Sequence, residues 1–296
     1  MTPGGVLVGV DGSLGSVDAL RWAIRHTSEF GPVRPVIIWD YPLRDLLPPP
    51  LGPSEPPTIE EMEARALDGA RPALDEAGAT DHADVEEPLI LRGEAGPVLV
   101  EAAAEAALLV VGTRSRGPVR SNMIGSVGRH CADSATVPMV VVPHLGDEAP
   151  PSDDGPYQVV VGVDGSDNAQ RALEWAVRNA PADAEITAVT TWQTPVDLPF
   201  ALTDNRFDVR VLRADATQRV NEAADKACAQ ADAPADRVLR EITEGDPRWV
   251  LLSRSEAVDL LVLGRRGRTG LPHFFLGSTT TALIHRPRCP IAVVPG

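Results

Sequence analysis

Two hydrophobic rhythms alternate along the chain. Short runs rich in valine, isoleucine and leucine are separated by longer stretches whose apolar residues return every three or four positions. The runs at 6–10, 33–39, 86–91, 108–111 and 139–142 predict buried strands. Helices are expected over 16–30, 58–77, 97–106 and 126–135. In the first of these, Val17, Leu20, Ala23 and Ile24 share one face, with Ser16 as expected cap and Gly31 as stop. Thr58 and Glu61 have the spacing of a capping box, and Pro97 suits a first helical turn. Residues 41–57 are proline-rich and carry no regular pattern. The order then recurs, with strands at 159–163, 185–192, 238–242, 260–263 and 291–294. Helices are expected at 169–179, 213–230 and 247–254 and after Gly277, with a loop at 195–205.

Strands alternating with helices predict a parallel sheet covered on both faces. The expected class is α/β, two tandem five-stranded, parallel, doubly wound, Rossmann-like domains. The repeat is visible residue by residue. Val8-Gly9-Val10-Asp11-Gly12-Ser13 returns as Val161-Gly162-Val163-Asp164-Gly165-Ser166 after 153 positions, and Trp22 and Trp39 return as Trp175 and Trp192. Gly112 and Gly125-Ser126 return as Gly264 and Gly277-Ser278 after 152. Two copies of so long a period mean two domains rather than a solenoid. Their expected bounds are 1–145 and 156–296, joined by a linker at 144–156 that is dominated by proline, glycine and acids.

The clearest chemistry follows the fourth strand of each half. In the second half, VLGRRGRTGLPHFFLGST runs from strand through a glycine-rich loop to a helix start. Glycines let backbone N–H groups approach a ligand, and a helix start adds the positive end of its dipole. The combination is an anion cradle, and phosphate is the expected anion. No lysine stands in it, so it is not a P-loop, nor does it read G-x-G-x-x-G. A doubly wound sheet binds ligands at the carboxyl ends of its strands where strand order reverses, so Asp11 should meet Gly112, and Asp164 should meet Gly264. A carboxylate there can accept hydrogen bonds from a base or a ribose. Asp-Gly-Ser is also an ordinary turn and cap signal.

Composition narrows the ligand. The formal net charge is −15 and the pI about 4.8, which does not advertise nucleic acid or a membrane surface as partner. Lys226 is the single lysine, so arginines must make any side-chain contact to phosphate. Cys131, Cys228 and Cys289 are odd in number and do not repeat, which points to a reducing, cytoplasmic setting. Six histidines form no ligand cluster, so no metal site is expected in the protein itself. The start of the chain enters a strand at once and reads as no signal peptide.

The pairing of V-G-V-D-G-S with G-x-x-G-x9-G-S resembles the universal stress protein family, in its ATP-binding branch and its tandem, actinobacterial form. The resemblance implies ATP, with magnesium or manganese beside its phosphates. It implies that the strand-one aspartate lies near adenine, together with backbone at Ile38 and Thr191. It also implies a homodimer or intramolecular pseudo-dimer through the last strands, Met139–Val142 and Ile291–Val294. The expected binding set in the first half is Gly9, Asp11, Ile38, Gly112, Arg114, Ser115, Arg116, Gly125, Ser126 and Val127. In the second half it is Gly162, Asp164, Thr191, Gly264, Arg266, Gly267, Arg268, Gly277, Ser278 and Thr279. The first half departs from the glycine motif at one position: Ser115 stands where the second half has Gly267, with Pro118 close by. If that position requires positive φ, serine costs about 1–2 kcal/mol and weakens the first site about tenfold.

Neither loop offers an Asp, Glu or Gln to orient a nucleophile at a γ-phosphate. The expected function is an ATP-binding stress regulator with little or no turnover and no catalytic residue, acting on a protein partner that the residues do not name. The alternatives are an assembly module with vestigial sites and a slow ATPase.

Overall fold

The structure, a computed structural model, describes residues 4–41, 57–113, 123–145, 155–194, 209–266 and 276–296. The chain divides into two units, Met1–His144 and Leu145–Gly296. The first unit holds β1 (Val6–Val10), α1 (Leu14–Arg25), α2 (Thr27–Phe30), β2 (Val33–Trp39), α3 (Ile59–Glu76) and β3 (Leu89–Arg92). It continues with α4 (Ala95–Ala102), a 3-10 turn at Ala103–Glu105, β4 (Leu108–Gly112), α5 (Ser126–Ser134) and β5 (Met139–Val142). The strand order is β3-β2-β1-β4-β5 and every pairing is parallel. Helices α1 and α3 pack on one face, α4 and α5 on the other.

The second unit holds β6 (Gln158–Gly162), α6 (Asp167–Asn179), β7 (Glu185–Trp192), α7 (Val209–Gln230) and β8 (Val238–Glu244). It ends with α8 (Pro247–Arg254), β9 (Leu260–Gly264), α9 (Ser278–Ile284) and β10 (Ile291–Val294). The order is β8-β7-β6-β9-β10, again wholly parallel. The doubly wound α/β class read from the sequence is therefore the fold of each unit. Its central strands are apolar throughout because both faces are covered: Val6, Val8, Leu108, Leu109 and Val110 are fully buried, as are Val161, Leu261 and Val262.

Three local expectations are corrected. The cap of α1 is Ser13, not Ser16; Ser13 Oγ accepts from Ser16 N–H at 3.3 Å. The expected helix to Phe30 is two helices broken at His26, whose Nδ1 lies 2.7 Å from the Trp22 carbonyl while its ring stacks on Trp22. Strand β3 starts at Leu89 rather than 86, because Pro88 has no N–H for the ladder and upstream pairing shrinks to the single bridge Val33–Val85. The capping box is present, with Thr58 N–H donating to Glu61 Oε2 and Glu61 N–H to Thr58 Oγ1. The predicted loop at 195–205 lies outside the described residues.

Candidate functional site

In the first unit the site starts where β1 stops. Ser13 N–H donates to Asp11 Oδ1 at 3.0 Å, closing a turn through Gly12, whose φ of +76° suits glycine. The turn launches α1, and α1 runs back against the end of β4. A Cβ on Gly112 would stand 2.0 Å from the Gly15 carbonyl oxygen, so no side chain fits there. On the opposite face Leu99 of α4 seats over Gly9, where a Cβ would meet its Cδ2 at 3.0 Å. Helix α5 begins at Gly125 with no side-chain cap. These elements enclose a cavity of about 190 Å³ whose walls include Gly9, Asp11, Ile38, Leu99, Thr113 and Val127.

The second unit repeats the arrangement. Ser166 N–H donates to Asp164 Oδ1 at 2.9 Å through Gly165, φ +82°. A Cβ on Gly264 would stand 2.7 Å from the Asn168 carbonyl oxygen, and one on Gly162 would stand 3.0 Å from Leu251 Cδ1 of α8. Helix α9 begins at Gly277, again without a side-chain cap, and Gly277 N–H is held by the Arg265 carbonyl at 2.8 Å. The cavity measures about 250 Å³, and Arg266 is in its wall.

Most of the expected set converges. Gly9, Asp11, Ile38, Gly112, Gly125 and Val127 line the first cavity. Gly162, Asp164, Thr191, Gly264, Arg266, Gly277, Ser278 and Thr279 line the second. Ser126 is not among the walls of the first cavity. Arg114, Ser115, Arg116, Gly267 and Arg268 lie outside the described residues. The sequence reading missed the lids. Ala95 and Leu99 belong to the first cavity, Pro247 and Leu251 to the second, and all come from the helix after the third strand. The signal was present in Pro97 and Pro247, which mark those helix starts, together with the V-G-V glycines that make room for a leucine. Thr280 was also missed: it turns inward, donating from Oγ1 to the Gly264 carbonyl at 2.9 Å.

Each cavity therefore offers an apolar slot, one carboxylate and a glycine-rich backbone edge. That combination suits a flat ring with a polar, anionic tail. The slot in the second unit is formed by Val189, Leu251 and Leu263. Among the described residues no group of three or more His, Cys, Asp or Glu could hold a metal ion. Burial pushes the Cys131 and Cys289 thiols up to about 12 and raises Cys228 as well, which disfavours the reactive thiolate. No described helix is long and apolar enough to cross a membrane.

Residues 5–143 and 157–295 each match the model of the universal stress protein family. A universal stress protein of Mycolicibacterium smegmatis is 27% identical over 294 residues, covering 98% of this chain and 96% of that protein. One from Mycobacterium tuberculosis is 29% identical over 295 residues, with the same two coverages. The solved structure of a universal stress protein from Archaeoglobus fulgidus has the same fold, with a TM-score of 0.65 at 17% identity over 100% of this chain and 99% of that one. The chain belongs to the universal stress protein family, as two tandem copies.

Proposed function

We propose that this tandem universal stress protein binds a nucleotide, ATP above others, in the strand-end crevice of each unit, and acts as a nucleotide-dependent stress regulator with little or no turnover. The observation that carries the proposal is the convergence, twice, of a strand-one aspartate, a strand-four glycine and a glycine-opened helix on one cavity. Asp11 and Asp164 would face the base or ribose. Gly112, Gly125 and Val127, and Gly264, Arg266, Gly277, Ser278 and Thr279, would face the phosphates. Arg114, Ser115 and Arg116, and Gly267 and Arg268, would complete the two loops. Among the described wall residues the carboxylates are Asp11 and Asp164, each with Oδ1 engaged by its own turn, and this reading assigns both to the base or ribose and neither to activating water. Nucleotide would then act by shifting a conformational or oligomeric equilibrium. Self-association through β5 and β10 and a cytoplasmic setting belong to the same reading.

A second reading has its own observation. Gly112 is required by the approach of α1, and Asp11 closes a turn, so both residues have a reason to be present without a ligand. The first unit would then be an assembly module with a vestigial cavity. Denaturing the purified protein and weighing the released nucleotide by mass separates the readings. Adenine nucleotide near one equivalent per chain or above supports binding. None, even after incubation in millimolar ATP-magnesium, overturns it. Turnover well above about one per minute would overturn the regulator in favour of an enzyme, since typical enzymes run near ~10 per second.

A further inference from the structure

The two cavities differ in what their walls can still bond. In the first, the hydroxyls are engaged by the protein itself. Ser13 Oγ accepts from Ser16 N–H, Ser16 Oγ donates to the Ser13 carbonyl at 2.7 Å, and Thr113 Oγ1 accepts from His144 N–H at 2.9 Å. In the second, Thr280 is engaged, but the hydroxyls of Thr191, Ser278 and Thr279 carry no hydrogen bond among the described residues while lining the cavity. Thr191 stands near the end of β7, on one side of β6, and Thr279 is in the first turn of α9, which follows β9 on the other. Hydroxyls therefore flank Asp164 on both sides. The matching positions in the first unit are Ile38 and Val127, which line its cavity and offer no side-chain hydrogen bond.

We propose that the cavities are non-equivalent sites: Thr191 and Thr279 make the second specific for the hydroxyl and phosphate oxygens of a nucleotide, and Ile38 and Val127 make the first tolerant of ligands that lack them. The proposal rests on the nucleotide reading above and adds which residues set the difference. Each threonine hydroxyl can both donate and accept, so it can serve a ribose hydroxyl or a phosphate oxygen. Replacing one by a methyl group removes a bond that water in the free site can match but an apolar wall in the complex cannot.

The test is calorimetric titration of the full chain with ATP-magnesium and, separately, with adenosine. ATP should show a tight and a weak class of site; adenosine, which keeps the ribose hydroxyls but lacks the phosphates, should show the same order of sites with a smaller gap between them. The double exchange Thr191→Ile with Thr279→Val should weaken the tight ATP class about a hundredfold, roughly tenfold per hydrogen bond. The reciprocal exchange, Ile38→Thr with Val127→Thr, should tighten the weak class. Thr279→Ser keeps the hydroxyl at nearly the same shape and should stay within about twofold of the parent. These substitutions change few atoms, and the serine variant reports on the hydroxyl even if a double exchange folds poorly. If both exchanges leave the two ATP classes unchanged, the hydroxyl assignment is overturned while nucleotide binding stands. If the parent chain takes up neither ligand, the nucleotide reading fails and this proposal fails with it.

Discussion

The two units make the same turn at the end of their fourth strand, but they close it differently. In the first, Gly112 meets Gly15 backbone to backbone, and an added Cβ would sit 2.0 Å from a carbonyl oxygen. In the second, Gly264 meets Asn168, with the nearest atoms at 2.7 Å. Glycine at this turn is thus demanded by helix packing before any ligand is considered. The difference we propose between the units as binding sites lies elsewhere, in Thr191 against Ile38 and Thr279 against Val127, which line the two cavities. Their other supports differ as well. Asp246 caps α8 and accepts from Arg248 N–H at 2.8 Å, whereas its counterpart Glu94 at the start of α4 makes no side-chain cap. The first unit has its own clasp, His144 Nδ1 at 2.6 Å from Asp18 Oδ2, and Gly296 stands at the matching position of the second.

The largest effect should come from the turn itself. Gly112→Ala should cost about 3 kcal/mol, because backbone must move, and Gly264→Ala about half as much. Urea midpoints of the two variants check the ranking; equal losses would show that the tighter contact relaxes freely. Next comes Ser115→Gly, which should raise first-site ATP affinity about tenfold and so narrow the gap between sites. Equilibrium dialysis against labelled ATP reads it, and an unchanged first site would end the steric explanation.

Loss of the cap should be smaller. Asp246→Ala should cost about 1 kcal/mol and Glu94→Ala nearly nothing, measured by thermal melts. The Asp246 carboxyl is held below the usual carboxylate range, first by the Arg248 side chain and then by the Arg248 backbone N–H. A depressed folded pKa stabilises above the unfolded value of about 3.9 and is lost as pH falls through the folded value. The difference between parent and Asp246→Ala should therefore stay constant from neutral pH to about 5 and shrink below about 4. A small effect is also expected for His144→Ala, below about 1 kcal/mol, since both partners of its clasp remain partly exposed, at 25% and 26%. A larger loss would make the clasp a principal support of the first unit.

The strands were legible because buried parallel strands are continuous apolar runs; β2, β5, β7 and β10 fall where the valine and isoleucine pattern puts them. Both aspartates and the glycine pairs were legible because the chain states them twice. The site was harder. Leu99 and Leu251 look like ordinary core residues in sequence, and only the winding of the sheet carries their helix over the V-G-V glycines. The cap of α1 was misread because Ser13 and Ser16 are both good capping residues, and Asp11 decides between them by fixing the turn. The engaged state of Ser16 and Thr113 could not be read at all, since their partners are backbone groups, one of them 31 positions away.

A crystal structure grown with ATP-magnesium is the most direct test of the central claim, that each unit takes a nucleotide at its strand-end crevice. The account predicts density beside Asp164, with phosphates against Gly277 and Thr279, at higher occupancy than in the matching place beside Asp11 and Gly125. Nucleotide bound away from both crevices, or crystals from saturating ATP with both crevices filled by water alone, would contradict it.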